Sequence, residues 1–405
     1  MQATILRQMK SENTTGRESL LRFPVRKKIN NPEKEFVWIA IRIRILLIIL
    51  TSLRSVSKSI KIFRQLNSMR KQTWGGKMKK IYKISGKYYF NLYTPGWPSK
   101  AYDQLIRNEV HRLDTSSVSA DQLRFIFLAI TRKCPMRCEH CFEWENLNQR
   151  ETFSREELIR IVDLYQKQGV NQIQFSGGEP MVRFPDLLEI IRFASVKMEC
   201  YVVTSGFNLT IDNALLLKAA GCKGMIISID HHIPEMHNRF RGHPNIFTRA
   251  VEGVRASLEA GMITALSVCV TREFLDGANL LPYLKFAQTM GVHFIQILEP
   301  KAVGHYEGKD VLLEERHILM LEEFFKEINQ NPDYKDFPSL MYHGYHQRRI
   351  GCYAGSRSLY IDSAGDVHAC PFCHTRSYNV RELLNAHTEI IPVKENRCPR
   401  YEKVV

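Results

Sequence analysis

The chain has 405 residues, of which 44% are hydrophobic, and this is enough for one large domain and a smaller one. Its formal net charge of +15 lies in the N-terminal part, because residues 1–80 hold 19 Lys and Arg against four Asp and Glu. The remaining residues hold 38 basic and 38 acidic side chains. We therefore expect no specific binding of nucleic acid by the folded body of the protein.

The first segment, residues 1–78, is a basic extension that contains an apolar run at 36–53 with two arginines. The uninterrupted part of this run is too short for a bilayer span, which needs about 20 apolar residues. It also lacks the cleavage site of a signal peptide. Three interpretations stay open: a basic segment in weak contact with a membrane surface, an arm that packs on the body, or upstream sequence with no fold and a true start at Met69 or Met78.

A hairpin is predicted in the next segment, residues 79–119. The stretch from Lys80 to Tyr93 contains two runs typical of short strands, joined by a turn at Ser85-Gly86-Lys87. A linker rich in turn residues, 94–99, follows.

Six apolar runs typical of strands alternate with helical patterns in the predicted core, residues 120–310. The clearest helix begins with a capping box formed by Ser154 and Glu157. The alternation predicts an α/β fold with a parallel sheet, closed most simply as a partial β/α barrel with its active site at the C-terminal ends of the strands. The strand-like runs are Phe125–Ile130, Ile173–Phe175, Tyr201–Val203, Met225–Ile229, Ile263–Val270 and Phe294–Leu298.

Three cysteines, Cys134, Cys138 and Cys141, follow the first of these strands with the spacing C-x3-C-x2-C. Three thiolates from one loop can ligate three corners of a 4Fe–4S cluster. The fourth iron then stays open for a substrate or cofactor, as the open position does in a catalytic zinc site. The alternative is a zinc site whose fourth ligand is missing or is supplied by His140.

A second cysteine group lies in the C-terminal segment, residues 311–405, and consists of Cys352, Cys370, Cys373 and Cys398. The turn Ser363-Ala364-Gly365-Asp366 predicts a hairpin that brings Cys352 near the Cys370 pair. Four thiolates suit either one closed 4Fe–4S cluster or a structural zinc site.

The spacing of these cysteines, with no convincing secretory signal, favours cluster or metal ligation over disulfides and a cytoplasmic location. The other three, Cys200, Cys222 and Cys269, stand alone in apolar stretches and are interpreted as buried structural thiols.

The first cysteine motif, followed by the sequence SGGEP at 176–180, resembles the radical S-adenosylmethionine (SAM) superfamily. In that family a 4Fe–4S cluster gives an electron to SAM, and the resulting 5′-deoxyadenosyl radical abstracts a hydrogen atom from the substrate. The resemblance implies that the residues that bind SAM are Gly177, Gly178, Glu179, Pro180, Ser228, Arg241 and Phe142. It assigns no residue a catalytic acid–base role.

Cys352 with Ala354-Gly355, and the later sequence GDVHAC, resembles the SPASM domain or its shorter relative, the twitch domain. Four cysteines imply one auxiliary 4Fe–4S cluster. The resemblance implies a maturase-like enzyme that acts on a peptide or protein and takes electrons from a flavodoxin or ferredoxin. Two alternatives remain: a radical SAM enzyme acting on a cofactor, tetrapyrrole or sugar precursor, and a zinc-stabilised nucleic-acid-binding protein.

Overall fold

The computed structural model describes residues 29, 31–74, 80–114, 123–373 and 376–386. The strands in these residues are β1 Tyr82–Ile84, β2 Lys87–Tyr89, β3 Phe125–Ala129, β4 Gln172–Ser176, β5 Glu199–Thr204, β6 Cys222–Ser228, β7 Ile263–Cys269, β8 Phe294–Leu298, β9 Ser339–Tyr342, β10 Ser358–Ile361, β11 Asp366–His368 and β12 Tyr378–Asn379.

The α-helices in the same residues are Asn31–Leu53, Val56–Trp74, Lys100–Leu113, Arg155–Lys167, Phe184–Ala194, Ile211–Ala220, Pro234–Arg241, Ile246–Glu259, Arg272–Asp276, Leu280–Thr289, Glu315–Gln330, His343–Ile350 and Val380–Ala386. Short 3-10 helices lie at Trp144–Asn146, Pro180–Arg183, Gly304–Tyr306 and Pro332–Tyr334.

One sheet contains ten of these strands, in the order β12-β11-β10-β3-β4-β5-β6-β7-β8-β9. Every neighbouring pair from β10 to β9 is parallel, whereas β11 runs antiparallel to both β10 and β12. The six predicted strands are β3 to β8, so the predicted α/β fold with a parallel sheet is confirmed. The predicted hairpin between β10 and β11 is also present, and β10 continues the core sheet beside β3.

Helices pack on one face of the core strands, and residues of β1, β2 and Leu92 pack on part of the other face. All five residues of β4 and all seven of β7 are buried. The helix Arg155–Lys167 begins with the predicted capping box: the Glu157 amide donates to Ser154 Oγ at 3.2 Å, and the Ser154 amide donates to Glu157 Oε2 at 2.8 Å.

The β1–β2 hairpin turns at Ser85 and Gly86, which both have positive φ, as the tight turn of a two-residue hairpin requires. The residues after it pack against the N-terminal ends of the core strands. The Leu92 carbonyl accepts a hydrogen bond from Gln172 at 2.6 Å, and the Gly96 amide donates to Glu199 at 3.2 Å. The opposite, C-terminal ends of the strands are therefore the side available for a site.

The apolar run in the N-terminal extension belongs to a 23-residue helix, Asn31–Leu53. By length and composition it is the one helix in the described residues that is long and apolar enough to cross a membrane. The helix begins at mostly polar residues, 31–35, so the apolar run itself keeps its predicted length with its two arginines. Its buried side contacts Val56–Trp74 and Lys100–Leu113, which favours the interpretation as a packing arm.

Candidate active site

A cavity of about 570 Å³ lies at the C-terminal ends of the core strands. Cysteines from both groups line it, together with the first residues of the SGGEP turn and residues that follow β6. The predicted site residues in its wall are Cys134, Cys138, Cys141, Phe142, Gly177, Gly178, Glu179, Ser228, Arg241, Cys352 and Cys370. Pro180 and Cys373 lie outside this wall, and Cys398 lies outside the described residues.

The loop that carries the first three cysteines is held at its start by two residues that follow it. The amide of Cys134 donates to Asn148 Oδ1 at 3.1 Å, and Asn148 Nδ2 donates back to the Cys134 carbonyl at 3.1 Å. Glu151 accepts from the Thr131 hydroxyl at 2.5 Å and from the Arg132 amide at 3.0 Å. Neither anchor was predicted from the sequence, because neither belongs to a recognisable motif.

The two glycines of the SGGEP turn pack against the backbone of this cysteine loop. A Cβ on Gly178 would lie 2.3 Å from the Lys133 carbonyl oxygen, and one on Gly177, which has φ +137°, would lie 2.5 Å from the Thr131 oxygen. The Glu179 amide donates to the Lys133 carbonyl at 2.8 Å. The glycines therefore permit the chain to approach itself closely, and the two loops form one unit.

Glu179 is buried and accepts four hydrogen bonds. Its Oε1 accepts from the Thr204 hydroxyl at 2.6 Å and the Met181 amide at 3.1 Å, and its Oε2 accepts from the Ser205 amide and hydroxyl at 2.8 and 2.6 Å. Burial raises the pKa of Glu179, although these donors oppose the shift. Thr204 and Ser205, at the end of β5, therefore fix the orientation of the carboxylate in the cavity wall.

An ion pair next to the first cysteine motif joins two residues that follow β6. Arg241 Nε donates to Asp230 Oδ2 at 2.6 Å, and Arg241 Nη1 lies 3.6 Å from Cys138 Sγ. Burial alone would raise the pKa of Asp230, but the Arg241 charge outweighs it and the pKa is lowered. Arg241 was predicted from the sequence and Asp230 was not, although a carboxylate two residues after a buried strand was an available signal.

The aromatic residues of the cysteine loop face two different parts of the protein. His140 stacks on Phe240 with ring centroids 4.8 Å apart, and burial lowers its pKa to about 4, so the ring is neutral near pH 7. Phe142 packs edge-on against Tyr360 of β10, at 5.6 Å, and against Phe372, at 5.9 Å. Phe142 thus lines the cavity and also contacts the C-terminal segment.

The second cysteine group adjoins the first through this contact, since Phe372 lies between Cys370 and Cys373. Those two cysteines form a tight turn, in which the Cys373 amide donates to the Cys370 carbonyl at 3.1 Å. Cys352 accepts a hydrogen bond from Gln347 Nε2 at 3.6 Å. The structure therefore brings Cys352 and Cys370 to the same cavity as the first motif.

Glu143, two residues after Cys141, attaches the cysteine loop to the C-terminal hairpin. It is buried, and it accepts hydrogen bonds from the Tyr360 hydroxyl and, at 2.7 Å, from the Ser363 hydroxyl. The remaining cysteines, Cys200, Cys222 and Cys269, are all buried in the strands β5, β6 and β7, as predicted for structural thiols.

Residues 128–277 match the family described as the radical SAM superfamily. This stretch contains the cysteine loop, the SGGEP turn and the Asp230–Arg241 pair. By this match, residues 128–277 form a radical SAM domain. The match also counts against the alternative of a non-enzymatic nucleic-acid-binding protein.

Curated relatives of this chain include an AdoMet-dependent heme synthase of Oleidesulfovibrio alaskensis, which is 30% identical over 210 residues, covering 50% of this chain and 52% of the relative. GTP 3′,8-cyclase 1 of Mycobacterium tuberculosis is 30% identical over 233 residues, covering 53% of this chain and 62% of the relative. The chain thus spans between about half and three-fifths of the length of these relatives.

Among solved structures, SuiB of Streptococcus suis bound to S-adenosylmethionine has a TM-score of 0.56 at 16% sequence identity. The likeness covers 72% of this chain and 71% of SuiB. SuiB bound to its precursor peptide SuiA matches with a TM-score of 0.53 at 14% identity, over 84% of this chain and 77% of SuiB. Both matches show that the likeness in fold extends beyond residues 128–277.

Radical SAM proteins use a 4Fe–4S cluster and SAM, and the first cysteine motif fits this cluster. Burial raises the pKa of Cys134 to about 12, so a buried positive group is needed to keep such a thiol as a thiolate. No three His, Cys, Asp or Glu side chains among the described residues converge closely enough to hold a single metal ion.

Proposed function

We propose that this chain cleaves SAM reductively at a 4Fe–4S cluster held by Cys134, Cys138 and Cys141, and uses the product radical to remove hydrogen from a substrate in the same cavity. The observation that carries this proposal is the convergence of the three thiols, the SGGEP turn and Arg241 on one cavity wall. When bound, the cluster supplies one electron to SAM, which yields methionine and the 5′-deoxyadenosyl radical.

The chain's own residues would bind and orient SAM in this cavity. The Glu179 carboxylate, held by Thr204 and Ser205, would accept hydrogen bonds from the SAM ammonium group. Arg241 would pair with the SAM carboxylate, and Ser228, at the end of β6, would donate to the same end of the cofactor. Phe142 would exclude water on the side that faces the C-terminal segment.

We further propose that Cys352, Cys370, Cys373 and Cys398 hold one auxiliary 4Fe–4S cluster. Support comes from the position of Cys352 and Cys370 in the wall of the same cavity, and from the contact between Phe372 and Phe142. A cluster in that place would adjoin both the substrate and the first cluster. The electrons would come from a flavodoxin or ferredoxin.

The proposed substrate is a peptide or protein, as the resemblance of the C-terminal segment to a SPASM or twitch domain implies. SuiB, which this chain resembles in fold, binds the precursor peptide SuiA. The proposed location is a reducing cytoplasm, because the spacing of the cysteines favours cluster or metal ligation over disulfides.

A small molecule is the second candidate substrate, and the specific observation in its favour is sequence similarity. The two curated relatives at 30% identity are named for a heme and for GTP, which are both small molecules. Incubation of reconstituted enzyme with cell extract that has been divided by ultrafiltration would distinguish the candidates. Substrate-dependent 5′-deoxyadenosine should form with the retained fraction for a peptide or protein, and with the filtrate for a small molecule.

The first test of the proposed function measures iron, sulfide and zinc in anaerobically reconstituted protein, and 5′-deoxyadenosine formed from SAM with dithionite. We expect about eight irons per chain, as two 4Fe–4S clusters require, and 5′-deoxyadenosine in the wild type. Cys134→Ala, Cys138→Ala and Cys141→Ala should each abolish SAM cleavage. Cys200→Ala is the matched control, since Cys200 is buried in β5 away from the cavity. Bound zinc without iron or SAM cleavage would refute the proposal.

A further inference from the structure

The N-terminal helix Asn31–Leu53 has two apolar faces, and the described residues cover only one of them. Its buried residues are Val37, Ile41, Ile48 and Ile49. With 3.6 residues per turn, the exposed apolar residues fall on the opposite side of the helix. They are Phe36, Ile39, Ile43, Leu46, Leu47 and Leu50, whose exposed fractions range from 37% to 68%.

This exposed face continues onto the next helix, Val56–Trp74. Leu46 and Ile60 line one cleft between the two helices, together with Phe63 and Arg64. Val56 and Ile60 are 68% and 46% exposed. Half of the sixteen exposed large apolar side chains in the described residues therefore lie between positions 36 and 60. A concentration of this kind marks a surface that meets an apolar partner.

The charges around the apolar face are almost all positive. Residues 31–70 contain eight Lys and Arg against two Glu. Arg42 and Arg44 lie at the two borders of the exposed face, and Arg54, Lys61 and Arg64 are exposed along the second helix. Glu33 is bound to Lys83 at 2.7 Å, which leaves Glu35 as the exposed acid at the start of the first helix.

We propose that the helix pair 31–74 docks the protein on an anionic lipid bilayer, with the first helix lying in the plane of the interface. Exposed apolar side chains would enter the acyl boundary, and the basic residues would meet lipid phosphates. A second copy of this chain fits the face less well, because its own basic residues would oppose those of the first copy. The buried side of the helix and the Arg44–Asp103 ion pair hold it against the body, which makes it a surface helix rather than a span.

Vesicle cosedimentation of the full-length protein tests this docking, with phosphatidylcholine alone and with phosphatidylcholine mixed with phosphatidylglycerol. Wild type should bind the mixed vesicles at least tenfold more strongly than the neutral ones, and added salt should weaken the binding. The double variant Ile39→Ser with Ile43→Ser should lose most of this binding. Arg42→Glu should weaken binding to the mixed vesicles alone, by roughly fivefold or more.

A matched control is Leu215→Ser with Leu216→Ser, which changes two leucines of similar exposure, 50% and 44%, on another helix. This control should bind like wild type. Iron content and SAM cleavage should be unchanged in all these variants, because none of the changed residues lines the cavity. Correct cluster content in a variant that does not bind vesicles would show that the body is folded.

Three results would overturn the proposal. The first is a wild-type dimer that becomes a monomer in the Ile39→Ser, Ile43→Ser variant while vesicle binding is absent throughout, since the occupant would then be a second copy. The second is vesicle binding that appears only after deletion of residues 1–28, which would identify those residues as the segment that covers the apolar face. The third is resistance of the bound protein to extraction with alkaline carbonate, which would indicate an integral span.

Discussion

Arg241 connects Asp230 to Cys138 at the edge of the first cysteine motif. Its Nε atom donates to Asp230 Oδ2 at 2.6 Å, while its Nη1 atom lies 3.6 Å from the Cys138 sulfur. Asp230 Oδ1 also accepts from the Cys269 amide at 2.9 Å, which ties the pair to the end of β7. The guanidinium is therefore held beside the cysteine loop by a carboxylate that is only 4% exposed.

Asp230→Asn should destabilise the protein by about 3–5 kcal/mol, because it leaves the buried Arg241 charge without a counterion. The loss should be visible as a lower urea midpoint, and SAM should bind more weakly because Arg241 is no longer held in place. Asp163→Asn removes an exposed ion pair with Lys167 and is the control, with an expected change below about 1 kcal/mol. Equal midpoints for the two variants would contradict the role assigned to Asp230.

Gly178→Ala should separate the SGGEP turn from the cysteine loop, since the added Cβ would lie 2.3 Å from the Lys133 oxygen and 3.0 Å from Cys134 Cβ. We expect loss of most cluster iron and of SAM cleavage. Gly169→Ala is the control. Gly169 has a positive φ, but no atom lies close to the position of an added Cβ, so the substitution should lower the free energy of unfolding only through backbone strain, by about 1 kcal/mol. If Gly178→Ala keeps full iron content, the two loops do not depend on close contact.

Glu299, at the end of β8, should make the free energy of unfolding depend on pH in the acid range. Burial alone would raise its pKa, but Lys301 at 2.8 Å and Arg348 at 2.8 Å lower the pKa from 4.5 to about 2. Because the pKa of Glu299 is lower in the folded protein than in the unfolded chain, its ion pairs contribute fully to the free energy of unfolding above about pH 4.5. This contribution is lost as the pH falls towards 2. At neutral pH this contribution to the free energy of unfolding is about 3 kcal/mol.

The measurement for Glu299 is the free energy of unfolding of wild type and of Glu299→Gln at several pH values. The difference between the two proteins should stay constant above about pH 5 and narrow below it. Glu145→Gln changes an exposed carboxylate on the cysteine loop and controls for general effects of acid. A difference that is independent of pH down to pH 3 would contradict the assigned ion pairs.

Cys370→Ala and Cys373→Ala should each lower the iron content from about eight to about four per chain, because they remove ligands of the auxiliary cluster alone. Cleavage of SAM to 5′-deoxyadenosine should persist in part, without coupling to a substrate, since the first cluster remains. Iron analysis with an assay of 5′-deoxyadenosine checks both statements. Unchanged iron in the Cys370 variant would refute the auxiliary cluster.

Local patterns in the sequence were enough to predict the core strands β3 to β8, the capping box at Ser154 and both hairpins. They did not predict β9, a four-residue strand with no alternation of polar and apolar residues. Nor did they predict that β10 pairs with β3, because the partners are more than two hundred residues apart and tertiary packing decides the pairing.

In the candidate site, too, residues of short motifs were predicted from the sequence, whereas residues that act through tertiary contacts were not. The cysteines, Glu179 and Arg241 were identified because they belong to short motifs. Asp230, Glu143 and Asn148 were missed, since each acts through contacts that only the folded chain creates. Thr204 and Ser205 lay in a recognised strand end, but their role in holding Glu179 required the geometry.

The parallel pairing of β10 with β3 has a consequence for the order in which the site can form. β3 and the cysteine loop leave the ribosome more than two hundred residues before β10 and Phe372. During that interval the loop and its three thiols have no Tyr360 or Phe372 beside them. The side of the cysteine loop that Tyr360 and Phe372 cover in the folded protein therefore stays open until the C-terminal segment has been synthesised.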